Sequence, residues 1–321
     1  VGDEAGTAIT TGDNNVAVGY ATMRDNTTGG DNTALGFASL IVNTTGQSNT
    51  SVGFRSLYSN TTASNNTALG YEALKANTTG ERNVAVGMSA LTSATTATSN
   101  IAVGYQALQR ATTGGDNVAV GSDSPTSNAA LEQLTTGTKN VSIGNNSGTA
   151  LTTAHHNTFV GHGSGTAVTT GGLNVAVGAY AGDSITTGAE NTFIGSRAGD
   201  SLTDSSYNVA LGGYALTSDT RGNRSVAVGH NALYSQNFTS ATATYNVAVG
   251  MSAGLSVTTG IANTLIGGLS GDAITVGGEN TALGYKALTG NTTGFYNTAV
   301  GSRALANMNV TDSSATYNVA V

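Results

Sequence analysis

The chain contains no cysteine, one proline and few charges; Lys, Arg, Asp and Glu together make up 9% of its 321 residues. Without cysteine, neither disulfides nor thiolate metal sites can hold the fold. The 11 basic side chains set against 18 acidic ones leave a formal charge of −7, with no basic run, which argues against a nucleic-acid partner. No apolar run approaches the roughly 20 residues of a membrane-spanning helix, so no membrane insertion is expected of this piece. With so little charge and so much Asn, Thr, Ser and Gly, the composition alone could pass for a disordered low-complexity tract.

What is present argues otherwise. A marker glycine recurs every 17 residues, at Gly2, Gly19, Gly36, Gly53, Gly70, Gly87, Gly104 and Gly121. It resumes at Gly144 and runs to Gly229, then continues from Gly250 to Gly301, with irregular steps of 23 and 21 residues. Disorder needs no such register; a fixed period held over 18 units is the signature of a solenoid. The chain is therefore expected to be all-β, a parallel β-solenoid of 18 coils forming one repetitive domain over 1–321. Both ends of the numbering fall inside a repeat, which reads as a piece cut from a longer fibre protein.

Each coil reads the same way. Asparagine stands four residues before the glycine at Asn15, Asn32, Asn49, Asn66, Asn83, Asn100, Asn117, Asn140 and onward to Asn318, with Ser225 the exception. Asparagine bonds its own backbone at turns, and stacked copies can bond one another, so this column is read as a structural ladder. A three-residue strand follows, β-branched at its first position, small at its second and Val, Leu or Ile at its third. Side chains alternate along a strand, so the bulky first and third positions share one face and the alanine shares the other with the marker glycine. The bulky face is expected to fill each coil and the thin face to meet neighbouring chains, giving a stable oligomer.

Beyond the glycine, ten coils carry Leu or Met four residues on, as at Leu40, Leu57 and Leu74. Seven carry glycine there, as at Gly165, Gly182, Gly199 and Gly271, and supply an aliphatic side chain three residues later, as at Ile185, Leu202 and Ile274. The apolar anchor moves because an unfilled core position would leave a cavity. Three strands carry a large middle residue, Phe159, Phe193 and Leu265, each in a coil with glycine at the later position, which suggests that the two sites share space. A Thr-Thr pair closes most coils. The three longer coils gain residues before that closing turn, the first of them containing Pro125, and such insertions are expected to form surface loops.

The Asn-x-Ala-Val-Gly-Tyr-x-Ala-Leu units resemble the YadA-like head repeats of trimeric autotransporter adhesins. They resemble still more the long-period repeats of phage tail-fibre and bacterial surface fibre proteins. The resemblance covers essentially the whole chain and departs from the adhesin repeat in its 17-residue period and its Leu/Gly alternation. It implies a left-handed β-roll and a parallel homotrimer, extracellular, on a cell surface or virion, working as a structural and adhesive fibre on a host-surface glycan or protein.

No constellation for an enzyme is found, so no catalytic residue, metal or cofactor is expected. His155, His156 and His162 lie close in sequence and could in principle share a metal across a threefold axis; isolated surface histidines are the preferred reading. Tyr20, Phe37, Phe54, Tyr71, Tyr105 and Tyr285, each one residue past a marker glycine, are the candidate glycan-contacting stripe. Asn-x-Thr/Ser triplets at Asn26, Asn43, Asn60, Asn77, Asn237 and Asn291 are read as chance products of an Asn/Thr-rich repeat. The alternative function is an ice-binding β-solenoid using the threonine column, disfavoured because adjacent threonines of a strand point to opposite faces.

Overall fold

The computed structural model describes residues 2–122, 128–310, 312 and 315–321. Pro125 and its neighbours in the first insertion lie outside the described residues. Among the described residues there is no helix, and the chain is a parallel β-solenoid that divides into two compact units, Val1–His162 and Gly163–Val321.

In the first unit, nine three-residue strands run from β1 (Val16–Val18) to β9 (Thr158–Val160), each pairing in parallel with the next. The register is constant: Thr67 faces Val84, Ala68 faces Ala85 and Leu69 faces Val86. The second unit begins with β10 (Val175–Val177) and β11 (Thr192–Ile194) and ends with β20 (Val319–Ala320), stacked in the same register. It also holds a feature that the repeat gave no sign of: β13 (Gly222–Asn223) and β15 (Thr242–Ala243) form a separate two-stranded parallel sheet beside the second insertion.

Three turns bend each coil. In the coil of Gly70, Glu72, Leu74 and Arg82 all take left-handed backbone, with φ of 54°, 52° and 57°. Such φ values cost an L-residue about 1–2 kcal/mol, so every coil holds strain that its packing must offset. The marker glycine is under a harder constraint. Gly70 has φ +141°, and a Cβ there would sit 2.5 Å from the carbonyl oxygen of Gly87 in the next coil. Both the dihedral and the close approach of stacked backbones exclude any side chain.

The strand faces are the reverse of the expectation. Ala34 and Ala68 are fully buried, whereas Leu35 and Leu69 on the other face are each 47% exposed. The thin face points inward because the core is already filled from across the coil: Leu40, Leu57, Leu74, Leu91 and Leu108 are all fully buried. An alanine opposite leaves room for such a leucine; a Val or Leu there would overfill the narrow interior.

The moving anchor is also visible. In the glycine coils Ile185, Leu202 and Ile274 are buried, and Ile274 Cδ1 lies 2.9 Å from where a Cβ on Gly271 would stand. Phe193 is sandwiched: Cβ atoms on Gly199 and Gly182 would lie 2.6 Å and 2.8 Å from its ring. Leu265 is held likewise, at 2.7 Å from Gly271 and 2.8 Å from Gly254. Room for the large strand residue therefore comes from two glycines, one in its own coil and one in the coil before. Phe159 packs in the same way against Gly148 of the preceding coil, where a Cβ would lie 3.0 Å from its ring.

Candidate functional site

The asparagine column lies inside the coil wall and is fully satisfied. Asn32 is buried; its Nδ2 donates to Gly46 O at 2.9 Å, and its Oδ1 accepts from Asn49 N at 2.9 Å and Asn49 Nδ2 at 3.1 Å. Asn66, Asn83, Asn100, Asn117 and Asn140 repeat the pattern, and Asn15 starts it by accepting from Asn32 N at 3.0 Å. Each amide thus caps one turn and ties it to the next coil, so the column has no polar atoms to spare for a ligand. At Ser225 the ladder is patched. Gln236 Nε2 donates to Ser225 Oγ at 2.8 Å and to buried Asp219 at 2.6 Å, while Asn246 Nδ2 donates to Gln236 Oε1 at 2.9 Å.

A second ladder escaped the sequence reading. Asn26, Asn43, Asn60 and Asn77 are buried inside the leucine coils, and from Asn43 onward each Nδ2 donates to the Oδ1 of the asparagine before it at 2.7–2.9 Å. Burial also removes these asparagines, with Asn291, as glycan acceptors in the folded chain; Asn237, in an insertion, is exposed. Ala94 stands where the next asparagine would be, and Asn77 Oδ1 is left buried with no partner. Buried serines were overlooked too. Ser51 pairs with Ser56 at 2.6 Å and Ser142 with Ser147 at 2.7 Å. The signal was in the sequence: a serine at the strand centre occurs with another five residues on.

Three periodic features mark the outward surface. The first is the strand face. At its first and third positions every three-residue strand shows only Val, Ile, Leu or Thr, with no charge at either position. The second is the ring column. Tyr20, Phe37, Phe54 and Tyr71 stack in one file with centroids 5.3, 5.2 and 5.1 Å apart and nearly parallel planes. Arg55 reaches over the rings of Phe54 and Tyr58, at 5.1 and 5.5 Å. Tyr105 is separated from this file by Met88, and Tyr285 lies in the other unit, under Lys286 Nζ at 5.5 Å. Stacking occupies both faces of Phe37 and Phe54, so those rings present edges outward.

The third feature is the threonine file. The first threonine of each pair is committed along the stack, as Thr27 Oγ1 donating to Thr44 O at 2.9 Å and Thr44 Oγ1 to Thr61 O at 3.0 Å. The second, at Thr28, Thr45, Thr62 and Thr79, is exposed and forms a single file.

Of the histidines, His155 is tied to Thr138, whose N donates to Nδ1 at 3.0 Å, and His156 occupies a left-handed turn position. Among the described residues no three His, Asp or Glu side chains are grouped closely enough to hold a metal ion, and no helix is long and apolar enough to cross a membrane. No protein-family model matches this sequence and no curated protein matches it significantly, so the functional reading rests on the repeat and its geometry.

Proposed function

We propose that the chain is a structural and adhesive fibre segment, extracellular on a cell surface or virion, built as a homotrimer that attaches to a surface glycan or protein. The observation that carries this reading is the exposed strand face. Aliphatic side chains such as Val16, Leu35, Leu69, Ile143, Ile194 and Leu283 stand outward without a charge among them. An exposed, uncharged row of aliphatic side chains of this kind, present in each unit, marks an interaction surface. A second copy in parallel register would meet it with the same 4.7–4.9 Å strand spacing of about one coil, which makes self-association the natural cover. The number three comes from the resemblance to trimeric fibre repeats. Self-association uses the strand face, not the alanine face, which is sealed within the coil.

Sedimentation velocity on the whole chain tests this: a trimer is expected, and a folded monomer at micromolar concentration would overturn it. Charges placed on the face, in Leu35→Lys with Leu69→Lys, should shift the equilibrium toward monomer while the coil stays folded. Thermal hysteresis in the same samples tests the ice-binding alternative, for which the threonines of the strand face are interspersed with Val and Ile and form no regular Thr-x-Thr array.

A further inference from the structure

In the second unit the position that carries the stacked rings of the first holds a six-membered ring only at Tyr285, and a cleft opens beside His230. The position after the marker glycine, filled by rings at Phe37 and Phe54, holds Ser196, then Gly213, then His230. Gly213 leaves space beside the imidazole: a Cβ on Gly213 would touch only His230 Cδ2 at 3.4 Å and Ser196 O at 3.9 Å. A cleft of about 260 Å³ next to it is lined by Tyr214, His230, Asn231 and Tyr234. Tyr214 and His230 meet edge-on, 6.0 Å apart at 73°, so they form a corner and do not stack closed as the rings of the first unit do. Tyr214 and Tyr234 are both exposed. Asn231 takes the left-handed turn position at φ 58°, which holds its backbone against Gly213 O at 3.1 Å while leaving its side chain uncommitted.

We propose that this cleft binds a single neutral pyranose ring. A pyranose has a C–H face that packs on an aromatic ring and a rim of hydroxyls that both donate and accept. The cleft supplies the complement: tyrosine rings as apolar walls with polar tips, an amide with two donors and one acceptor, and an imidazole. No charged side chain lines it, which disfavours uronic and sialic acids. The cleft is open to solvent, so the end of a glycan can reach it. The cleft is a contact site additional to the stacked file, in which both ring faces of Phe37 and Phe54 are covered. The proposal rests on the attachment reading only in supplying its ligand class.

The test is saturation-transfer NMR on the whole chain with methyl β-galactopyranoside, methyl β-glucopyranoside and methyl α-mannopyranoside at millimolar concentration, with methyl β-glucuronide as the charged comparison. Transfer to the C–H protons of at least one neutral glycoside is expected, together with a shift of the His230 ring protons. Gly213→Phe extends the ring column into the cleft, at a position where other coils carry phenylalanine, and should weaken binding about tenfold or more, roughly 1.4 kcal/mol. Should that variant fold poorly, Tyr234→Ala, at an exposed site, is expected to give the same loss. Oligosaccharides ending in the same sugar, immobilised on a surface, distinguish a glycan terminus from the free glycoside. No transfer with any neutral glycoside, or transfer unchanged in a folded variant, overturns the proposal. Sedimentation separates the two readings: a trimer that binds no sugar sinks the cleft alone, and a monomer that binds sugar sinks the fibre alone.

Discussion

In the first unit Leu57 and Leu74 enter the core from a left-handed turn, with φ of 45° and 52°, and meet an inward alanine or serine on the strand opposite. In the second unit Gly182 and Gly199 hold the same turn at φ 56° and 59°, and the space is filled from the other side by Phe193 and from farther along the coil by Ile185 and Leu202. The backbone is the same in both; only the side from which volume arrives differs. The leucine coils accept left-handed strain at a bulky residue, whereas the glycine coils relieve it and recover the volume elsewhere. The comparison teaches that the 17-residue coil fixes a backbone and an interior volume, not a set of side chains.

The largest effect is expected where that volume is filled twice. Gly199→Leu puts a side chain 2.6 Å from the Phe193 ring at left-handed backbone. Overpacking costs about 1–3 kcal/mol and the dihedral a further 1–2 kcal/mol or so. Phe193→Ala in the same chain restores the pair found at Ala68 and Leu74, and should recover most of the packing part. Thermal melts of the four-member cycle read the coupling; strict additivity would show that the two positions do not compete for space.

The converse exchange is expected to follow. Leu91→Gly removes a buried anchor, at about 2–5 kcal/mol less the strain it relieves. Adding Ala94→Ile copies the glycine coils and should return part of the loss. Asn77→Ile beside Leu74→Gly is a poorer rescue, because Asn77 Nδ2 donates to Asn60 Oδ1 at 2.9 Å and its loss strands that oxygen. Urea melts of both pairs should rank the Leu91 pair above the Leu74 pair.

A smaller gain is expected from Ala94→Asn, which offers a donor to the orphaned Asn77 Oδ1. The coil of Leu57, Asn60 and Ala63 already combines an asparagine with alanine three residues later, as Ala94 with Ala97 would. One added hydrogen bond is worth about 0.5–1.5 kcal/mol, read as a raised denaturation midpoint; a lowered one would mean that the site lacks room.

Least affected should be the outer charges. The Arg24 side chain hydrogen-bonds Asp25 and, with the attraction of its charge, holds that carboxyl below the usual carboxylate range against the opposing effect of burial. A lowered folded-state pKa means stability present above the unfolded value and lost as pH falls through the folded one. Both side chains are 40% exposed, so solvent screening leaves little. Asp25→Asn should melt like the parent at neutral pH within error, and any small difference should vanish in acid.

Much of this was legible in the repeat itself. Most marker glycines could be read because φ near +130° and a backbone carbonyl about 2.5 Å from a would-be Cβ exclude every other residue. The asparagine column could be read because each buried amide needs the same partners in every coil. The second ladder at Asn26–Asn77 was passed over because its members also fit a solvated turn, and only burial distinguishes the two. The cleft at Tyr214 and Tyr234 was invisible because its walls come from different positions of two successive coils.

The sequence by itself determined the period, the parallel register and which side chains share a face, since all three follow from spacing along one chain. Which face points inward was decided only by the tertiary structure. Alternation groups Leu69 apart from Ala68 but carries no sign. That sign came from the far side of the coil, where Leu74, at a left-handed turn, projects into the interior and leaves space for an alanine and not for a second leucine.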